Sequence, residues 1–494
     1  MSGLVQGATG RMLRWRWHVA AAVGLLLVLA VSAAGGVTPR RVATGAAAGS
    51  DAAGTTDLTS TGAAPAAGDT LVAAAGGGGS AGTAAAHGGT AKGLSGVGAG
   101  QKINYDDGAD DNQVLIGGST FTSGPAAVYG QQIAVGFAAG VQYVNDHGGI
   151  NGRRLVAKIY DDGADPAKQL ANTKRLVEVD HAFALSMSYA PIVGPYVASK
   201  GIPVFHLGQF NEEFTNPWWF PLGGPQGTSA MSLAQFGART LGVKKVAIFY
   251  IDAGANNFSG QFARQVSKYW KDYGVDASTL VPFSPDQTSC SSAISTAKSA
   301  NVDFVDFELD AGHVIQCGVE AQIQGWRPSK SWGGYLIGVP VIHEALGDYS
   351  IGMYAFDAFG ANYDNPDYNA YVHKISSGTD AYSSVTISYF IAALLARDSM
   401  SKLGNTFTRA HLRDVLNGFS GWTPGLTTDP NQPTWTWTPT CHVALKGGYV
   451  IEIKKHPDGT LRWDQITPQF HTVPLPPGEP PPPDLASCPI FAPG

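Results

Sequence analysis

Between Val114 and Asp162 the chain sets out a strand, a hydroxyl-rich loop, a helix and a second strand, an order that leaves few folds open. Val114-Leu-Ile-Gly-Gly-Ser-Thr is a short apolar run of the kind buried in a sheet. Phe121-Thr-Ser-Gly-Pro-Ala-Ala after it carries turn residues and free hydroxyls. From about residue 126 to 144, Ile133, Phe137 and Val141 recur every fourth position on one helix face, and Gly148-Gly149 ends the helix. Residues 155 to 160 read as a second strand, parallel to the first if the helix is a crossover. In such a βαβ unit the loop lies at the carboxyl end of a strand and the amino end of a helix. Unpaired N–H groups there are aimed at a small polar or anionic ligand.

The rhythm continues. Asp165-Pro166 is an N-cap with proline at the first helical position, ahead of Leu170, Thr173, Leu176 and Val177 on an inner face. Strands are expected at 182–187 and 202–206, with a helix at 192–200 between them. Gly223-Gly-Pro-Gln-Gly reads as a crossing into a second lobe, with strands at 245–250 and 304–309 and helices at 258–273, 291–299 and 313–324. Later come a long apolar helix at 385–400, a helix at 409–416, and final strands at 434–437 and 449–454.

Both ends differ from this core. Arg11, Arg14 and Arg16 precede an apolar run from Val19 to Val31, short for a membrane span and typical of an export signal. Residues 1–40 are therefore a signal peptide or an uncleaved signal anchor. Either way the protein is exported and extracytoplasmic, in the cell envelope or secreted, with membrane contact only through this segment. Residues 41–111 are mostly Ala, Gly, Thr and Ser, too poor in large apolar groups to offset chain entropy, and are expected to be a disordered linker. Residues 473–494 form a Pro-rich tail. A net charge of −6 provides no basic field for nucleic acid. Four cysteines in an exported chain suggest two bridges, and of the three possible pairings the favoured one joins Cys290 with Cys317 across adjacent βα units and Cys441 with Cys488 to hold the tail.

Gly124-Pro-Ala-Ala-Val-Tyr-Gly, Gly136-Phe-Ala-Ala-Gly-Val-Gln-Tyr-Val-Asn, Gly148-Gly-Ile-Asn-Gly-Arg-Arg-Leu and Asp161-Asp-Gly-Ala-Asp-Pro follow one another in order and spacing. The run resembles the leucine/isoleucine/valine-binding family, the type I periplasmic solute-binding proteins of ABC importers. The resemblance implies an α/β fold of two lobes, each a parallel sheet flanked by helices, joined by a three-strand hinge. Lobe one would comprise 112–222 plus 357–421, and lobe two 223–356 plus 422–472. It also implies a partner permease and a small organic solute held between the lobes, with no cofactor or metal.

Carried over position by position, the resemblance puts Thr122, Ser123 and Tyr129 from the first loop, Ser186, Ser188 and Tyr189 from the second, and Gly208, Gln209 and Phe210 from the third against the solute. Phe258 and Asp310 follow from lobe two. Tyr129 could equally pack at the top of its helix, the serines could cap the next helix, and Asp310 could cap the one after it. Two departures argue against a simple α-amino acid. Phe210 cannot donate a hydrogen bond to a carboxylate, and the Gly333-to-Val339 stretch lacks an acid for an ammonium. Met187, Phe210, Trp218, Trp219 and Phe258 suggest a more apolar or aromatic solute, or else are ordinary core, so the expected solute is a small organic one, amino-acid-like or more apolar and aromatic. Asp161, Asp162 and Asp165 lack the ligand spacing of a calcium loop and read as caps. The rival readings are a ligand-sensing receptor or regulatory protein on the same fold, which sequence does not separate from a transport subunit, and a secreted hydrolase. The hydrolase finds no Gly-x-Ser-x-Gly elbow, P-loop or zinc-binding histidine pair.

Overall fold

A computed structural model describes residues 55–57, 70–73, 102–124, 127–187, 191–208, 211–224, 226–252, 258–335, 337–359, 365–379, 381–428, 432–445, 447–467 and 471–472. In chain order it contains β1 (Thr55–Asp57), β2 (Thr70–Ala73), β3 (Asn104–Tyr105), β4 (Gln113–Thr120), α1 (Ala127–Asp146), β5 (Arg154–Asp161), α2 (Pro166–Glu178), β6 (Ala184–Met187), α3 (Gly194–Lys200), β7 (Val204–His206), α4 (Asn211–Thr215) and β8 (Trp219–Pro221). Next come α5 (Gln226–Phe236), β9 (Lys245–Ile251), α6 (Phe258–Asp272), β10 (Asp276–Phe283), α7 (Ser291–Ser299), β11 (Phe304–Glu308), α8 (Ala311–Ile323), β12 (Ser331–Gly334), α9 (Val341–Leu346) and β13 (Tyr354–Asp357). The chain then forms α10 (Pro366–Ile375), α11 (Ser384–Met400), β14 (Thr406–Phe407), α12 (Arg409–Asn417), β15 (Gly447–Lys455), β16 (Leu461–Gln465) and β17 (His471–Thr472).

Two sheets define two lobes. The first runs β1-β2-β5-β4-β6-β7-β8, and the second runs β10-β9-β11-β12-β13-β15-β16 with β17 beside β15. From β5 to β8 the neighbours in the first sheet are parallel, as crossover helices require. In the second, β10 to β13 are parallel, and β15 and β16 close the edge antiparallel.

The first unit forms as its periodicity dictates. Ile133, Phe137, Val141 and Val144 of α1 are all buried. Its other face meets α11, whose residues from Val385 to Ala396 are all buried. The two helices approach closely because α1 carries glycine at the crossing. A Cβ at Gly136 would overlap the Thr386 carbonyl, and one at Gly140 would lie 2.7 Å from the Phe390 carbonyl. Asp165 caps α2 through the amides of Ala167 and Lys168, with Pro166 in the first turn. The Cys290–Cys317 bridge forms, tying the start of α7 to α8. Cys441 is also disulfide-bonded, and its expected partner Cys488 lies outside the described residues.

Three stretches depart from expectation. Residues 102–111 were assigned to the linker, yet they are fastened to lobe one. Fully buried Arg153 donates to Tyr105 Oη at 2.6 Å and to the Asp110 carbonyl at 2.9 Å, while its guanidinium lies against Tyr105 and Phe407. Asp106 accepts the Arg409 amide at 2.8 Å, and β3 pairs with β14. Farther upstream, β2 runs antiparallel to β5.

Residues 434–437 were expected as a lobe-two strand. Instead Trp435 makes an isolated bridge to Trp422 and donates its indole N–H to the Leu222 carbonyl at 2.6 Å. His442 follows suit, its amide on the Phe214 carbonyl and its ring on the Trp219 carbonyl and Asn417. The stretch 432–445 thus packs on lobe one, and the chain returns to the second sheet only at β15. The third departure is β10, a half-exposed edge strand whose weak apolar pattern carries little signal.

Candidate functional site

The expected site residues lie at the carboxyl ends of β4, β6 and β7 in lobe one and of β11 in lobe two. One direct link between the lobes is Tyr129, in the first turn of α1, whose hydroxyl accepts the amide of Ala311 at 2.9 Å. That amide opens α8, where helical N–H groups lack intrahelical partners. Asp310 caps the same turn, accepting the His313 amide at 3.1 Å and meeting the His313 ring at 2.5 Å. Burial pushes the Asp310 carboxyl up, but hydrogen bonds and charge from His313 leave it below its ordinary range. Burial, with the charge of Asp310, raises the Tyr129 phenol and keeps its proton on.

In the first loop, the hydroxyls of Thr122 and Ser123 turn back on Asp161, at 3.2 and 2.7 Å, and the Ser123 amide joins them. Asp162 similarly accepts Ser119 Oγ, and these acids serve the loop and its turn. Ser186 at the end of β6 is buried, and its Oγ has no partner among the described residues. Gly208 is buried at φ 82°, where a Cβ would come within 2.6 Å of Pro221, so this loop needs glycine. Ser188, Tyr189, Gln209 and Phe210 lie outside the described residues, and Phe258 is known only as the first residue of α6. Trp219 is core, edge-on to His206, and Trp218 packs against Gly201.

Two acids that sequence reading missed converge on this region. Glu213 of α4 is buried in lobe one, 3.9 Å from His206. Burial lowers the His206 ring to about 3, so it is neutral and this contact is no ion pair. Glu308 ends β11 in lobe two. One of its carboxyl oxygens is buried without a hydrogen-bond partner, and burial together with Asp306 pushes its pKa well up. Asp306, two residues back on the same face, accepts the Trp270 indole N–H at 2.7 Å and is raised by burial to about 7. Tyr335 lies just past β12. Its phenol is raised by burial and then by the charges of both Glu308 and Glu213. Tyr389 of α11 is likewise raised by burial and by Glu213. The sequence signal for the lobe-two pair was an acid at alternate positions of an otherwise apolar strand, Phe304-Val-Asp-Phe-Glu-Leu.

Two facing α/β lobes with polar strand ends turned toward each other define a two-lobe binding protein. Residues 113–459 match the periplasmic binding protein family, and the chain belongs to it. A leucine-, isoleucine-, valine-, threonine- and alanine-binding protein of Pseudomonas aeruginosa is 24% identical over 261 residues, 51% of this chain and 68% of that one. Leu/Ile/Val-binding protein homolog 1 of Brucella abortus is 32% identical over 105 residues, 21% of this chain and 28% of its own length. Among solved structures, an ABC-transporter solute-binding protein from Rhodopseudomonas palustris in complex with 3,4-dihydroxybenzoic acid superposes with TM-score 0.62. It has 16% identity, and the match covers 75% of this chain and 99% of that one. A branched-chain amino acid ABC transporter structure from Thermus thermophilus with bound valine gives TM-score 0.61 at 16% identity, covering 73% and 97%.

Proposed function

We propose that this protein is an extracytoplasmic solute-binding protein that captures a small organic solute between its lobes and delivers it to the permease of an ABC importer. The observation that carries the reading is the family match across both lobes, residues 113–459, joined to an interlobe region lined by strand-end polar groups. The mechanism is population shift. A solute touching both lobes makes contacts available only when they are closed, so it favours closure by that difference in affinity, and the importer recognises the closed form. Ser186, with its unsatisfied buried hydroxyl, and Tyr129 and Asp310, at the meeting of the lobes, are the described members of the proposed contact set. Thr122 and Ser123 would support it through Asp161. The apolar run from Val19 to Val31 would direct export. Among the described residues no helix is long and apolar enough to cross a membrane.

Thermal-shift screening of the purified protein against branched-chain amino acids, aromatic acids, fatty acids and amines tests the reading. A ligand that binds only the folded state raises Tm by mass action. The expected result is one solute class that raises Tm and, by small-angle scattering, reduces the radius of gyration. A panel with neither effect would count against solute capture.

A further inference from the structure

Among the described residues the chain passes between the lobes three times: from β8 to α5, which packs on β12, β13 and β15, from β13 to α10, which packs on α1, and from Leu445 to β15. The lobe-one ends of all three connections gather on Trp435, which is wholly buried. Its indole N–H donates to the Leu222 carbonyl at 2.6 Å at the first connection, and its ring stacks on Phe359 of the second at 6.3 Å and 23°. The next residue, Thr436, donates its amide to the Ala444 carbonyl at 3.3 Å, just before the third. Trp435 is itself held to lobe one. Its amide and carbonyl pair with those of Trp422 at 2.8 Å each, and His442 of the same stretch bonds Trp219 and Asn417. Leu222 and Gly223 are fastened in turn, their amides on the His206 and Leu207 carbonyls. Little chain is left between this cluster and lobe two. Ala358 alone separates Phe359 from β13, and Lys446 alone separates Leu445 from β15.

We propose that Trp435 pins the hinge: it holds the lobe-one ends of the three connections as one body, so that the lobes close by bending only in the short stretches between that cluster and α5, β13 and β15. This rests on the lobes closing around a solute and adds the residue that sets the pivot. The physical reason lies in what the indole joins. A buried N–H that loses its acceptor costs free energy, so the Leu222 carbonyl does not leave Trp435 unless water or another donor takes its place. The stack on Phe359 is a second constraint, favouring one arrangement of the two rings. On the far side β13 and β15 pair from Tyr354 with Glu452 to Asp357 with Tyr449, so the second and third connections enter lobe two as one ladder. Each lobe thus grips the connections rigidly, and bending without sliding is what remains. A pivot held at three points limits how far the open lobes stray from the closed arrangement. The solute then has less disorder to remove on closure.

The test needs no solute, so the pivot and solute capture can fail separately. Spin labels on Ala171→Cys in α2 of lobe one and Lys298→Cys in α7 of lobe two, both exposed, report the interlobe distance distribution of the full chain by pulsed dipolar electron resonance. It is measured in the parent and in Trp435→Phe, Phe359→Leu and Trp422→Phe. Trp435→Phe keeps a ring on Phe359 and removes the Leu222 bond, and Phe359→Leu removes the stack alone. Trp422→Phe is the control, because its indole bonds Asp398 of α11, away from the connections. The expected result is a distribution about twice as wide in Trp435→Phe and Phe359→Leu and of parental width in Trp422→Phe, with a melting transition retained in each. Parental width in both pin variants overturns the proposal. Equal broadening in the control does so too, because general loosening of lobe one would then be the cause. Hydrogen exchange of the unsubstituted protein decides the case should the variants not fold. The amides of Leu222, Gly223, Phe359 and Trp435 should exchange as slowly as those of β4, and exchange there as fast as in exposed loops overturns the proposal.

Discussion

The hydroxyl of Tyr129 in lobe one accepts the amide of Ala311 in lobe two at 2.9 Å, across 182 positions of sequence. It fills one of the open donor positions at the start of α8, a role otherwise played by a capping side chain or by water. Because the bond spans the two lobes, any separation of them would break it. Tyr129→Phe keeps the ring and removes the acceptor, so folding should be nearly unchanged while closure loses about 1 kcal/mol. Solute affinity should fall roughly fivefold, in line with that free energy. Calorimetric affinity together with the radius of gyration of the solute-free protein checks this. An unchanged affinity would mean that the bond re-forms through water.

Helix α1 reaches α11 through glycine. A Cβ at position 136 would strike the Thr386 backbone carbonyl, which no rotamer change can move aside. Gly136→Ala should therefore separate the two central helices of lobe one and cost about 1–3 kcal/mol, as overpacking does. Gly148→Ala probes a site with open space but φ 94°, so its cost is backbone strain alone, of order 1 kcal/mol. Denaturant melts of the two variants should rank 136 as the more damaging.

Why part of this was legible and part was not follows from the range of the determining interactions. The β4–α1–β5 unit, the Asp165 cap and the Cys290–Cys317 pair rest on signals within a few dozen residues, and they read correctly. Trp435 and Trp437 alternate like strand residues. Their partners, Leu222 and Phe220, lie more than 200 positions earlier in lobe one, and only the assembled fold pairs them. Residues 102–111, Lys-Ile-Asn-Tyr-Asp-Asp-Gly-Ala-Asp-Asp, differ in composition from the Ala/Gly-rich stretch before them, and Arg153 and Arg409 recruit them. Glu213 and Glu308 lie 95 positions apart, so no local motif announces that both act on Tyr335. The alternation of acids along β11 was local, but an acid in an apolar run reads equally well as an edge residue until neighbours on both sides of the strand are known.

The Cys290–Cys317 bridge closes a loop of sequence separation 27 and joins two helices that also share buried Ala293, Ile294, Val314 and Ala321. Constraint of the unfolded chain by a loop of this size stabilises by about 3–4 kcal/mol on the chain-entropy model. Replacing both cysteines with serine should lower stability by that order while the lobes still assemble, because the apolar contacts remain. Equilibrium denaturation of the double variant against the parent measures it. A loss below about 1 kcal/mol would show that residual structure already holds the reduced loop closed.

Asp306 makes the last prediction, one of pH. Burial lifts it from 3.8 to about 7, opposed by the Trp270 indole, and the groups around it are Glu308 on its own strand, Ile248 on β9 and Gly333 on β12. Between about pH 4 and 7 the folded chain keeps a proton on Asp306 that the unfolded chain releases. Stability from this group is therefore greatest below pH 4 and declines as pH rises through 7. His206 and His442, held neutral by burial at about 3 and about 4, act in the opposite sense. The unfolded chain takes up protons below about 6.5 that the folded one refuses, so they remove stability as pH falls. Asp306→Asn separates the two effects. The amide cannot ionise, still accepts the Trp270 N–H and leaves both histidines untouched, so the difference in stability between variant and parent reports the Asp306–Glu308 pair and not the histidines. That difference should be small at pH 4.5 and reach the order of 2–4 kcal/mol in favour of the variant at pH 8. Urea melts at the two pH values measure it. A difference of the same size at both would place Asp306 in its ordinary ionisation range.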